Sequence, residues 1–137
     1  MSTVMEAVSA TGTFEVKPAD EHAYYDVTGQ ARLTHAGGTQ RFSGDIEGEG
    51  SIEWLMCYLP DKTARFVGLQ RIEGTLNGRR GAFVIEAVGI HGGTGSEARW
   101  RVIEGSGTGE LEGITGQGGF DASGGSTVSY HLDYMLP

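Results

Sequence analysis

The stretch Gly105–Phe120, GSGTGELEGITGQGGF, restricts what this chain can fold into more than any other. Glycines stand at 105, 107, 109, 113, 116, 118 and 119, with Leu111, Ile114 and Phe120 as apolar residues among them. Each interior glycine costs a helix about 1 kcal/mol against alanine, so no stable helix forms here. The apolar residues and the alternation also set the segment apart from a free linker. Glycine in a strand permits bends, bulges and close backbone approach, which is what the corners of a small closed barrel require. The segment is therefore read as a bending strand near residues 108–120.

Alternation of apolar and polar residues runs through most of the remaining chain. In residues 41–58, Phe42, Ile46, Ile52, Trp54, Met56 and Tyr58 share one parity, while Arg41, Ser43, Asp45, Glu47, Glu49 and Glu53 share the other. A period of two marks a half-buried strand, here bent at Gly48 and Gly50 with its acidic stripe in water. Further strands are expected at 9–17, 25–36, 64–76, 81–91, 97–104 and 127–136. Pro18–His22 reads as a polar loop, Pro60–Lys62 as a turn, 92–95 as a glycine loop and 121–126 as a Ser/Gly turn. Asn77-Gly78 between two apolar runs is a strong hairpin signal. Eight strands with short connections and no βαβ pattern predict an all-β domain over residues 1–137. The expected architecture is a single antiparallel eight-stranded closed β-barrel, lipocalin-like, with little helix. A barrel of this size is filled by side chains or holds one small ligand.

Composition narrows the function. The 137 residues suffice for one domain with its own core. The formal net charge is −8 and the only adjacent basic pair, Arg79-Arg80, sits beside a turn. Neither nucleic acid nor a membrane surface is an expected partner, because both need a basic face. The single cysteine, Cys57, excludes an intramolecular disulfide and suits a reducing cytoplasm. The opening MSTVMEAVSATGTF lacks the basic and apolar regions of a signal peptide, and no apolar run approaches the ~20 residues of a spanning helix.

Several segments together resemble a known family. They are Gly12-Thr13-Phe14-Glu15-Val16, Arg41-Phe42-Ser43-Gly44-Asp45-Ile46-Glu47, the hairpin Ile72–Arg79 with Gly81–Ile85, the motif Ser106–Leu111 with Gly113-Ile114 and Gly116, and Tyr130–Tyr134. In order and spacing they resemble a bacterial domain-of-unknown-function family assigned to the allene oxide cyclase-like barrels. The glycine-rich motif is also similar to that of plant allene oxide cyclases and dirigent proteins. The resemblance implies an antiparallel eight-stranded barrel and brings no known activity. Where the family tends to carry Gln-His after its Phe-Val-Ile run, this chain has Glu86-Ala87.

No hydrolase, zincin, thiol-redox or P-loop signature is present. His22, His35, His91 and His131 are isolated in sequence, so no metal and no cofactor are expected. Cys57 lies on the polar parity without a basic neighbour to activate it. Glu86 sits in an apolar strand, where burial would raise its pKa and make it a general acid or base. Pairing with Arg71 or a place at a subunit contact is the structural alternative. Glu86, Arg71, Tyr130 and Tyr134 are the candidate catalytic groups. Phe42, Trp54, Tyr58, Phe66, Phe83 and Trp100 are the candidate ligand wall. Strands 64–76 and 81–91 carry apolar residues on both faces, and an apolar outer face needs a cover, so a homo-oligomer is expected. Three functions remain open. The first is binding of an apolar or amphipathic small molecule, the second a cofactor-independent cyclase or isomerase, and the third a structural or interaction protein with a filled barrel.

Overall fold

The computed structural model describes residues 7–93, 95–122 and 127–137. The opening residues 1–6, residue 94 of the expected glycine loop and most of the expected 121–126 turn lie outside the described residues. Eight strands run β1 Val8–Tyr25, β2 Arg32–Gly44, β3 Ile46–Tyr58, β4 Ala64–Leu76, β5 Arg79–Gly92, β6 Gly95–Val102, β7 Thr115–Ala122 and β8 Thr127–Met135. Each pairs antiparallel with the next, and β8 returns to β1, which closes the barrel. The one helical element among the described residues is a 3₁₀ turn at Gly109–Leu111.

Alternation sets which side chains enter the barrel. Odd residues of β5 point inward, so Phe83, Ile85 and Ala87 are buried and Glu86, Val88 and Ile90 are exposed. Even residues of β2, β3 and β4 do the same, which carries Gln40 and Gln70 inside with Phe42, Ile52, Phe66 and Ile72. Asn77 and Gly78 both have positive φ, +47° and +83°, and join Leu76 to Arg79 in a two-residue turn. That is the left-handed pair a type I′ hairpin needs. Gly48 and Gly74 face one another across β3 and β4, and a Cβ on either would lie 2.1 or 2.0 Å from a carbonyl oxygen of the opposite strand. Only glycine admits that approach.

Three sequence expectations need correction. Residues 25–36 are not one strand. β1 instead runs on through the expected Pro18–His22 loop, with register shifts near Pro18 and Ala23, and the chain turns at 26–31. The stretch 41–58 is not one bent strand. It breaks between Gly44, at φ +106°, and Ile46, and the alternation passes through because Phe42 and Ile46 share a parity. The glycine-rich strand begins only at Thr115.

The residues before it form a loop that seals one end. Its polar side chains take the place of a strand along β5, whose residues 80–84 extend past the end of β6. Ser106 Oγ accepts from Val84 N at 3.0 Å, Thr108 Oγ1 from Ala82 N at 3.0 Å and Glu110 Oε1 from Arg80 N at 3.2 Å. Three alternate side chains thus satisfy three alternate backbone donors, groups that would otherwise lose free energy. The same loop drives Leu111 and Ile114, both 1% exposed, against Leu76, Phe83 and Val102. This end of the barrel is solid core.

Candidate functional site

The opposite end stays open. The β1–β2 and β3–β4 connections lie beside it, together with the strand ends Gly92, Gly95, Ala122 and Thr127. Inside is a cleft of about 400 Å³, within the usual range for small-molecule pockets. Its wall is aromatic and aliphatic, with Phe14, Trp54, Tyr58, Phe66 and Phe120 as the rings and Ile52, Met56 and Val128 between them. Phe66 and Phe120 stack at 6.3 Å, and Phe120 meets Phe14 edge-on at 5.6 Å. A wider groove on the outer wall, about 620 Å³, is bounded by charged groups such as Arg65, Glu97, Arg99 and Asp121. Phe120 and Tyr130 are the aromatics of its lining, against five in the cleft.

Polar groups enter the cleft at two levels. At the rim, Glu21 Oε2 accepts hydrogen bonds from Thr34 Oγ1 and Tyr58 OH, each at 2.6 Å. These bonds, Thr34's first, hold the Glu21 carboxyl below its ordinary pKa, and burial with the Glu21 contact raises that of Tyr58. Arg32 lies over the Tyr58 ring at 5.6 Å and 3.4 Å from Asp26. His91 Nδ1 and Ser96 Oγ are hydrogen-bonded across the β5–β6 end. Deeper, Gln40 forms part of the wall, 3% exposed, and Gln70 lies behind it, fully buried. Gln70 Nε2 donates to Gln40 Oε1 at 3.1 Å. Gln40 Nε2 and Gln70 Oε1 have no protein partner, and neither does the indole N–H of Trp100.

The expected residues divide between cleft, core and outer wall. Trp54, Tyr58 and Phe66 line the cleft, whereas Phe42, Phe83 and Trp100 belong to the packed core below it. The four candidate catalytic groups do not come together. Glu86 is exposed on the outer wall, since even residues of β5 face out, and Arg71 is exposed and paired with Glu73 at 3.1 Å. Tyr130 and Tyr134 face inward at the sealed end. Tyr130 OH accepts from Ile46 N at 2.9 Å and donates to Ser43 O at 3.2 Å, which ties down the β2–β3 turn. Burial raises its pKa above the ordinary phenol value. Tyr134 OH accepts from Asn77 Nδ2 at 2.8 Å. Sequence reasoning missed Gln40, Gln70 and Glu21. A signal existed for the two glutamines, which stand on the apolar parity of their strands. None existed for Glu21, which lies in the segment read as a loop.

Among the described residues, no three His, Cys, Asp or Glu side chains are grouped to hold a metal ion. No helix among them is long and apolar enough to cross a membrane. Residues 10–134 match a family described as protein of unknown function (DUF3224). The fold is similar to the crystal structure of a protein of unknown function from that family, from Shewanella oneidensis MR-1. The two are 29% identical with a TM-score of 0.82, over 96% of this chain and 100% of the other. No curated protein matches the chain.

Proposed function

The chain belongs to the DUF3224 family of proteins of unknown function, and from the open end of its barrel we propose that it binds a small amphipathic molecule there. One observation carries the reading. An aromatic cleft of about 400 Å³ is backed by a buried amide pair that satisfies only half of its hydrogen-bonding atoms. Buried polar atoms without partners are rare in proteins and mark sites where a ligand or other group completes them. The resemblance to allene oxide cyclase-like barrels belongs with this reading, since an enclosed barrel interior suits a folded apolar molecule. The lone thiol fits a reducing compartment, and we place the binding in the cytoplasm. No observation favours the cyclase or isomerase reading, because Glu86 and Arg71 lie on the outer wall. The filled-barrel reading suits the sealed half alone.

The test is fluorescence of the uncharged probe N-phenyl-1-naphthylamine. Saturable enhancement is expected, and Ala36→Trp or Ala122→Trp, which place an indole in the cleft, should weaken it at least tenfold. Circular dichroism would establish that both variants fold. Enhancement that neither variant alters, or none at all, would overturn the reading.

A further inference from the structure

We propose that the cleft selects uncharged amphiphiles over anionic ones of equal size, with Gln40 bonding the ligand's polar end. This rests on the cleft being a binding site. Its wall contains no lysine or arginine among the described residues. A carboxylate carried into it would lose hydration and find no lysine or arginine in return, and the wall's one imidazole, His91, is already bonded to Ser96. Arg32, at the rim, is already engaged by Tyr58 and Asp26. The one acid of the wall, Glu21, is kept ionised by the hydrogen bonds of Thr34 and Tyr58, so an entering anion meets like charge. Gln40 then sets what the polar end must be. Amide oxygen and nitrogen are assigned from the hydrogen-bond network. Rotating both amides together exchanges the atoms and keeps the Gln40–Gln70 bond. In either arrangement Gln40 retains one buried hydrogen-bonding atom without a protein partner, which a turn of its side chain would present to the cleft. An amide or hydroxyl can serve as donor or acceptor there, while a carboxylate can only accept.

Decanamide, decanol and decanoate compete with N-phenyl-1-naphthylamine at pH 8 in the test. Decanamide and decanol are expected to displace the probe at concentrations at least tenfold below decanoate. Gln40→Met should weaken decanamide about fivefold or more relative to the probe, with both affinities measured on that variant. Glu21→Gln, at an exposed rim position, should strengthen decanoate relative to decanamide, which keeps the test open if Gln40→Met folds poorly. Decanoate binding as tightly as decanamide, with probe binding intact, would overturn the selectivity while leaving the cleft reading in place. Failure of the probe itself would remove the cleft reading first.

An independent observation on the outer wall supports a second inference. Leu55, Val67, Leu69, Val88 and Ile90 are 49, 48, 52, 40 and 42% exposed and adjoin across β3, β4 and β5. Strand pairing sets two rows over them, Leu55–Val67–Val88–Arg99 and Glu53–Leu69–Glu86–Arg101. Acid thus stands on the β3 side at Glu53 and again on β5 at Glu86, while arginine lines the β6 side. We infer that this face docks a second copy about a two-fold axis running along the strands between β4 and β5. That operation mirrors β4 onto the partner's β5 and β3 onto the partner's β6. Val67 meets the partner's Val88, Leu55 the partner's Arg99 and Leu69 the partner's Glu86, and Glu53, which also bonds His35 at 2.8 Å, meets the partner's Arg101. A self-complementary patch of this kind is what a two-fold interface requires. Sedimentation velocity should show a dimer at micromolar concentration. Glu53→Arg should shift it to monomer, and adding Arg101→Glu should restore the dimer. A monomeric wild type, or a dimer that Glu53→Arg leaves unchanged, would overturn the interface.

Discussion

Replacing Gln40 and Gln70 together with methionine isolates what the buried amide pair does to the fold. Methionine has nearly the same length and adapts to irregular gaps. The pair makes one internal hydrogen bond and leaves one donor and one acceptor without a protein partner. A neutral hydrogen bond contributes about 1 kcal/mol net, and each unsatisfied buried polar group costs roughly 1–3 kcal/mol. The double variant loses the smaller quantity and is relieved of the larger. It should therefore be more stable than the parent by about 1–5 kcal/mol. Gln70→Met alone should do the reverse. It leaves Gln40 Oε1 unpaired in place of Gln70 Oε1, so the net loss is the one hydrogen bond, about 1 kcal/mol. At roughly 3–5 °C per kcal/mol for a domain of this size, calorimetry resolves the two signs, and urea melts give the coupling energy. A double variant less stable than the parent by more than about 1 kcal/mol would refute the reasoning. The amides would then be fully satisfied in solution, and the pair would be a structural element of the core.

Thr108→Val removes the acceptor for Ala82 N and should cost about 1–2 kcal/mol, read as a lowered urea midpoint. Hydrogen exchange should quicken at Ala82 and leave the β3–β4 amides unchanged. Tyr130→Phe strands the buried Ile46 N–H and should cost about 1–3 kcal/mol; full parental stability would count against the bracing role. Because burial raises the Tyr130 pKa in the fold, the unfolded chain loses that proton first, so stability should fall as pH rises beyond about 10. Glu21 has the opposite sign. Its folded pKa is lowered, so its contribution is present above the ordinary carboxylate range and is lost as pH falls through the folded value. Carbon-detected NMR titration should show the Glu21 carboxyl titrating at higher pH in Thr34→Val than in the parent; identical curves would remove Thr34 as the cause.

Much of this fold is legible because alternation is strong where one barrel face is wet. Phe42, Ile52, Phe66 and Ile72 point inward as their parity demands. The boundaries are harder. The turn at Gly44–Asp45 leaves the parity of Phe42 and Ile46 undisturbed, so the pattern gives no sign of it. β1 runs through a polar stretch because its own residues from Lys17 to Tyr25 are all exposed, and nothing there alternates. The face of Glu86 is ambiguous in a strand apolar on both sides, and the answer comes from the pairing of Leu69, Glu86 and Arg101 along the outer wall. The cleft is legible only in part. Aromatics on the inner parity mark the interior, but sequence does not say which half the loop plugs. That depends on Leu111 and Ile114 joining the buried cluster that holds Leu76 and Phe83.

The loop bearing Ser106, Thr108 and Glu110 has a consequence for the chain's behaviour in company. An uncovered length of β5 would present alternate amides to any extended peptide, and such edges recruit other chains into growing sheets. Here the amides of Arg80, Ala82 and Val84 are engaged by side chains. Side chains cannot relay the ladder onward as a strand would. The glycines between them let the loop lie close without offering a flat, extended edge of its own. The motif that gives the sequence its most distinctive appearance therefore also works as a terminator, keeping a barrel rich in β-structure from seeding aggregation at crowded concentrations.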